Sequence, residues 1–366
     1  MASAAFVAYV MWSESYAARL DFHIYIGSAQ DWPHVSAYDY RSPLLGLGFT
    51  YPPFAVLVMW PFARIGGALA EHLWLVLSIV SSLAFFGAVA AKLPRSPRSP
   101  LYAPLVAGAC LWSAPVLLTL RIGQINAFLA LAVIADVVLL SGRSRFCGVA
   151  TGIAAALKLT PVVALAYFVA RRDRPALRNA IASAVGASLL ALAVSPSDSF
   201  RYWGSEVFDS GRVGGLDSGY SNSIRRLIES LPGGSTSHAV LWVACSAVLV
   251  LVAFTRARRS CDMANPLAAI TVLMCAGAAI SPISWTHHLF FLVPCVPIVL
   301  GAWDDKVRIA AGLALVPLVW EYGNDLGQHP NTAAVRAVLL VLLVVFLPID
   351  DCRQGRRSTH LRPDGR

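Results

Sequence analysis

Apolar runs separated by short polar turns fill nearly the whole chain, many of them close to the roughly 20 residues that span ~30 Å of hydrocarbon as a helix. The pattern predicts membrane-crossing helices over residues 68–91, 101–119, 125–140, 178–194, 239–255, 264–280, 289–303, 309–321 and 332–349, with 1–18 as the incomplete tail of a first span. Two further apolar stretches do not read as simple lipid-facing helices. Residues 51–65 contain Pro52, Pro53 and Pro61, and residues 146–170 are broken by Lys158 and Pro161. Proline removes a ladder hydrogen bond, and an ammonium in hydrocarbon is costly. The expected fold class is an all-α integral membrane protein, a single-domain bundle over 1–366 with about ten transmembrane helices plus re-entrant or broken ones.

Composition supports the same solvent. The chain is 57% hydrophobic and 13% charged, against about 25% charged residues in soluble domains. That excludes a soluble enzyme. The formal charge of +9 does not indicate nucleic acid, because the basic residues sit in short clusters between apolar segments, where they set orientation. Seven cysteines are scattered without CxxC or zinc-like spacing and read as small packing residues. Arginine outnumbers lysine 26 to 3, consistent with a GC-rich bacterial genome. The first 12 residues lack the basic start and cleavage site of a signal peptide and look like the tail of a membrane helix, as if the start were truncated.

Charge placement bears on whether 146–170 crosses the membrane, since one crossing inverts every later loop. If 146–170 is a re-entrant hairpin, nineteen basic residues share one side, including the cluster from Arg171 to Arg178 and the C-terminal arginines, against seven on the other. The positive-inside rule makes the richer side cytoplasmic. The outer side then collects the first loop, 13–53, the turn from Arg121 to Gln124, the long polar loop 195–238, the segment 281–288 and residues 322–331. The Gly, Ser and Asp content of 195–238 suits a flexible extracytoplasmic cover.

The chemically suggestive residues lie mostly on that outer side. Asp21, His23 and Tyr25 stand just beyond the first helix, where a shielded carboxylate can act as a general base or simply cap a helix. Tyr51 precedes two prolines that suit a helix start, and a sugar-lining role for it is not visible in the spacing. Gln124 and Asn126 occupy a tight turn, where their amides suit either sugar hydroxyls or helix capping. Lys158 is the strongest oddity, with a phosphate or Asp136 as its natural partner. Trp285, His287 and His288 sit at a helix end, as an interfacial anchor and polar trim or as part of a site. Adjacent histidines point apart on a helix, so no metal site is expected from the pair. No HExxH, DxD, Walker A or GxGxxG pattern offers a soluble-type mechanism.

Six strings in order resemble a known family. They are Asp21 to Tyr25, Phe49 to Pro53, Gly123 to Asn126, Ala155 to Pro161, Ser221 to Arg225 and Ser281 to His288. Together they resemble the bacterial polyprenol-phosphate-mannose-dependent alpha-1,2-mannosyltransferases, glycosyltransferase family eighty-seven of the multispan GT-C class. The resemblance implies a GT-C-type bundle in an actinobacterial cell membrane, with its active site outside the cytoplasm. It implies a polyprenyl-phosphate-mannose donor and a lipid-linked mannoside or mannan acceptor. Asp21 falls where the family has its base. Lys158, then Arg225, are the candidates for the leaving phosphate, and Tyr25, Tyr51, Gln124, Asn126, Asn222, Trp285, His287 and His288 for substrate contacts.

The mechanism expected is inverting transfer, with no metal, cofactor or nucleotide and with membrane lipid rather than nucleic acid as partner. Rival readings are a transporter or flippase of a polyprenyl-linked glycan, a membrane scaffold, or an arabinosyltransferase of the same class.

Overall fold

The computed structural model describes residues 19–43, 45–93, 102–209, 211, 220–300, 306–320 and 330–349. The expected first span, 1–18, and the basic C-terminal tail lie outside these residues. Every described element is helical, from Leu20–Gln30 to Pro330–Phe346. Among the described residues three helices, Gly67–Ala90, Arg174–Val194 and Ser235–Asp262, are long and apolar enough to cross a membrane, and the other apolar helices are shorter.

The expected spans differ from the observed helices mainly at proline. Residues 101–119 form two helices, Tyr102–Leu111 and Ala114–Ile122, because Pro115 restarts the helix beyond an extended Ser113. The described part of the expected span 289–303 divides similarly into a 3-10 stretch, Thr286–Leu292, and a short helix, Cys295–Leu300, with Pro294 between them, while 301–303 lie outside the described residues. The run 125–140 starts at Asn126 and loosens into a π-helical turn over Ala135–Leu140.

The stretch 146–170 is broken as its composition suggested. Helix Val149–Leu157 ends at Lys158, whose backbone is extended, and Pro161 opens the 3-10 turn Thr160–Ala164. Its partner is Arg174–Val194, and the two backbones touch through small residues. A Cβ on Gly148 would strike the carbonyl of Ala176, and one on Gly152 that of Ala180. This four-residue glycine spacing permits close approach. Asn179 and Ser183 fasten the seam, Nδ2 donating to the carbonyls of Arg145 at 2.8 Å and Cys147 at 3.0 Å, and Oγ to that of Val149 at 3.1 Å.

Asp136 belongs to this seam rather than to Lys158. Its Oδ2 accepts from the Thr151 amide at 2.7 Å, capping the start of Val149–Leu157, where a carboxylate favours the helix dipole. Lys158 stands at the other end of that helix, about 10 Å along the axis from Thr151 at 1.5 Å per residue, with its Nζ on Asn126 Oδ1. The two cannot pair.

Two apolar cores result. The larger joins Gly67–Ala90, Ala114–Ile122, Asn126–Ile134, Leu165–Arg171, Pro266–Ile280 and the C-terminal helices. The smaller gathers Phe22, Tyr25, Trp32, Tyr38, Phe49, Met59 and Trp74 around Leu20–Gln30 and Pro53–Ile65. Helices Arg174–Val194 and Ser235–Asp262 leave apolar faces uncovered, including Val185, Leu189 and Leu190 on one and Val243, Val248 and Leu251 on the other. In a bilayer these faces meet lipid.

The first part of 195–238 is anchored, contrary to a flexible cover. Residues Pro196–Gly204 are helical, and buried Asp198 accepts from Trp32 Nε1 at 3.0 Å, Ser36 Oγ at 2.5 Å and the Ala37 amide at 3.1 Å. Arg201 adds an ion pair to Asp39 at 2.6 Å.

The seam yields a stability prediction. Gly152→Leu should lower the melting temperature in detergent by several degrees, as overpacking of about 1–3 kcal/mol does. Gly186→Leu, where an added Cβ meets nothing within 4 Å, should melt as the native protein does.

Candidate active site

The junction of the two cores is fixed by the turn after Ile122. Gly123 adopts a left-handed backbone (φ 73°), and a Cβ there would lie 2.6 Å from that of Phe22. The Arg19 amide donates to the Arg121 carbonyl at 2.7 Å, and Trp74 Nε1 to that of Gly123 at 2.8 Å, while Trp74 stacks on Phe22 at 5.3 Å. Helix Leu20–Gln30 is thereby pressed against the turn, and Asp21 and Tyr25 face Gln124.

Three polar groups close a compact triangle. Tyr25 donates from its hydroxyl toward Gln124 Oε1 at 3.0 Å and lies 3.0 Å from the Tyr51 hydroxyl. The latter is 3.0 Å from Gln124 Nε2 and 3.1 Å from Oε1. Burial pushes both phenols above their ordinary range, so they remain neutral donors.

Lys158 reaches the same triangle from the helix break. Its Nζ donates to Asn126 Oδ1 at 3.0 Å and lies 3.4 Å from the Tyr51 hydroxyl and 3.5 Å from Gln124 Oε1, with the Tyr51 ring 5.0 Å away. All these partners are neutral. Among the described residues Lys158 and Asp21 form no direct ion pair, although each stands in the other's field.

Both charges line one cavity of about 470 Å³, with Tyr25, Tyr51, Gln124, Trp285, His287 and His288 also in its wall. That size falls within the usual range for ligand sites, roughly 300–1,000 Å³. Among the described residues, buried Asp21 Oδ2 meets no hydrogen-bond partner, nor does Nδ1 of His287. Burial raises the Asp21 carboxyl to about 6, against the opposing pull of the Gln124 amide and the Lys158 ammonium. A second cavity of about 220 Å³ adjoins the first, sharing Leu159, Thr160, Ser281 and His288, and is otherwise lined mainly by apolar residues such as Leu129, Val133, Met274 and Phe291.

The remaining sequence candidates fall behind this wall. Asn126 Nδ2 donates to the His287 carbonyl at 2.7 Å. Asn222 donates through its amide and Nδ2 to the Ser284 carbonyl at 2.6 and 2.8 Å, strapping the Ser221–Ser223 segment to 281–288. Arg225 lies outside the cavity wall, paired with Glu229 at 2.7 Å and set over the Trp242 ring. His23 faces Glu71 at 3.3 Å. Among the described residues no three His, Cys, Asp or Glu side chains converge as a metal site.

Sequence reasoning weighed Asp209 only as one of several outer acids, and passed over Tyr202, which with Asp209 reaches the cavity from the long loop, and Arg336, buried at 2% exposure in the last described helix. Arg336 had a visible signal, a cation inside an apolar run. Tyr202 had none, and Asp209 had only its place among the acids of the outer loops.

Comparison with known proteins converges on one family. Residues 49–282 match the profile of glycosyltransferase family 87. A polyprenol-phosphate-mannose-dependent alpha-(1-2)-phosphatidylinositol mannoside mannosyltransferase of Mycobacterium tuberculosis is 31% identical, over 87% of this chain and 79% of its own. Its namesake from Mycolicibacterium smegmatis is 34% identical, over 79% and 71%. A Mycobacterium tuberculosis phosphatidylinositol pentamannoside mannosyltransferase, also polyprenol-phosphate-mannose-dependent, is 30% identical, over 82% and 70%. No solved structure matches.

The raised carboxyl has a stability signature. Because its folded value, about 6, exceeds the ordinary 3.8, ionised Asp21 opposes folding above about pH 6, and that penalty fades as pH falls toward 3.8. Asp21→Asn should therefore melt higher than the native protein at pH 7.5 and converge with it near pH 4. An equal gap at both pH values would contradict the assigned shift.

Proposed function

The chain belongs to glycosyltransferase family 87, and on that premise we propose that it transfers mannose from a polyprenyl-phosphate carrier to a mannoside glycolipid in an alpha-1,2 linkage. The observation that carries this reading is that Asp21 and Lys158, of opposite charge, line one cavity without neutralising each other. A phosphate-linked sugar seated between them has a base on one side and a cation on the other.

In the proposed reaction Asp21 takes the proton of an acceptor hydroxyl as its oxygen attacks the anomeric carbon. The bond from that carbon to the carrier phosphate breaks on the opposite face, inverting the configuration. Lys158, held by Asn126 Oδ1, and the neutral donor Tyr51 stabilise the charge on the departing phosphate, where electrostatics has its largest effect on rate. A carboxyl titrating near 6 is ionised at neutral pH yet more basic than an exposed aspartate. Tyr25, Gln124, Trp285, His287 and His288 line the walls for the sugar. The adjoining apolar cavity suits the first isoprene units of the carrier.

The acceptor of the relatives is a phosphatidylinositol mannoside by name, and we extend that class to this chain. Membership of a glycosyltransferase family sets the flippase and scaffold readings aside. The bundle is proposed to be of GT-C type with about ten crossings and the cavity opening outward. That topology is supported by the gathering of 19–53, 121–126, 202–209 and 281–288 around one space, since charge placement puts all four on the same side. The hairpin reading of 146–170 is supported by the helix break that brings Lys158 to that space.

Transfer of radiolabelled mannose from lipid phosphate to a mannoside acceptor tests the reading. Asp21→Asn should lower turnover about 100-fold or more, the usual range for loss of a general base, with donor binding retained and Asp31→Asn near native. A near-native rate in the Asp21 variant would move the base elsewhere.

Lys158→Ala should instead weaken use of the donor, raising its KM and lowering kcat, while the protein stays folded in the membrane. Native kinetics for this variant would leave the cation a structural role only.

A further inference from the structure

We propose that Arg336 is a positioning residue for Lys158, acting through the backbone of Thr286 and His287 and the side chain of Asn126. Arg336 lies in the otherwise apolar helix Pro330–Phe346 and is 2% exposed. A guanidinium is costly in such surroundings unless its hydrogen bonds are met. Its Nη1 donates to Thr286 Oγ1 at 3.1 Å, at the first residue of the Thr286–Leu292 turn. One residue on, the His287 carbonyl accepts from Asn126 Nδ2 at 2.7 Å, and Asn126 Oδ1 accepts from Lys158 Nζ at 3.0 Å.

The chain of contacts has a direction. An amide held through its nitrogen has its oxygen aimed by the same plane, so the seat of the His287 carbonyl sets where Asn126 Oδ1 points. Of the three oxygens around the ammonium, those of Tyr51, Gln124 and Asn126, Asn126 Oδ1 is the nearest. Arg336 is absent from the cavity wall. It holds the turn, and the turn holds the amide that holds the lysine.

Only three lysines occur in the chain, Lys92, Lys158 and Lys306, so the reactivity of each amine can be followed by mass spectrometry. The full-length protein in detergent is pulsed with a small amine-acylating reagent. Arg336→Met should raise labelling of Lys158 several-fold and leave Lys92 and Lys306 unchanged. Thr286→Val should do the same and Thr286→Ser should not. The double variant Arg336→Met with Asn126→Ala should label no faster than Asn126→Ala alone.

The kinetic arm rests on the transfer function proposed above. There Arg336→Met should raise donor KM roughly tenfold, the order expected for losing one hydrogen bond to a charged group, with acceptor KM unchanged. Native Lys158 labelling in Thr286→Val, additive effects in the double variant, or a rise at all three lysines together would overturn the proposal. If Arg336→Met fails to fold, Thr286→Val decides by the same labelling. Selective labelling in a protein that does not use the donor would uphold the positioning role and sink the transfer reading instead.

Discussion

The interior of this protein depends on a cation that, among the described residues, pairs with no anion. Lys158 is buried at a helix break and held by an asparagine oxygen, a glutamine oxygen and a phenol, all uncharged. Such partners lower the cost of burying an ammonium without cancelling its charge. Placing them requires three elements to meet: the turn at Gly123, the extended segment before Pro53 and the broken helix. The small-residue seam behind Val149–Leu157 and the aromatic packing around Trp74 serve that meeting. A carboxylate against Lys158 would cancel the charge that these neutral partners leave in place.

Asp21 is the complementary case. It is held near the cation without touching it, and one buried oxygen meets no partner among the described residues. Acid and base strength are set here by what is withheld. Gln124 supplies enough polarity to keep the carboxyl from rising further, and burial keeps it from falling to the value of an exposed aspartate.

Much of this was legible in the sequence because membranes make polar residues conspicuous. Lys158 and the turn of Gln124 and Asn126 stand out against apolar neighbours, and the helix break at Pro161 follows from covalent geometry. The bounds of Gly67–Ala90, predicted as 68–91, follow from hydrophobic length alone. Tertiary contacts were not legible. Periodicity gives no hint that Asp136 caps a helix 13 residues further along the chain, or that Asp198 reaches back to Trp32 and Ser36. Arg225 looked like Lys158 by charge, yet a glutamate four residues on neutralises it, a pairing that helical spacing allows anyone to see. Asp209 reaches the cavity only through the course of the long loop, which local sequence does not determine.

The glycine seam also divides the protein's freedom to change. Gly148 and Gly152 face carbonyl oxygens of the partner helix so closely that neither backbone can admit a side chain without the other withdrawing. The far side of Arg174–Val194 exposes Ile181, Val185, Leu189 and Leu190 to whatever surrounds it, where any apolar residue serves equally well. Sequence drift is thus channelled to one flank of that helix. Adaptation to a different lipid environment can proceed there without disturbing the strut that carries Lys158.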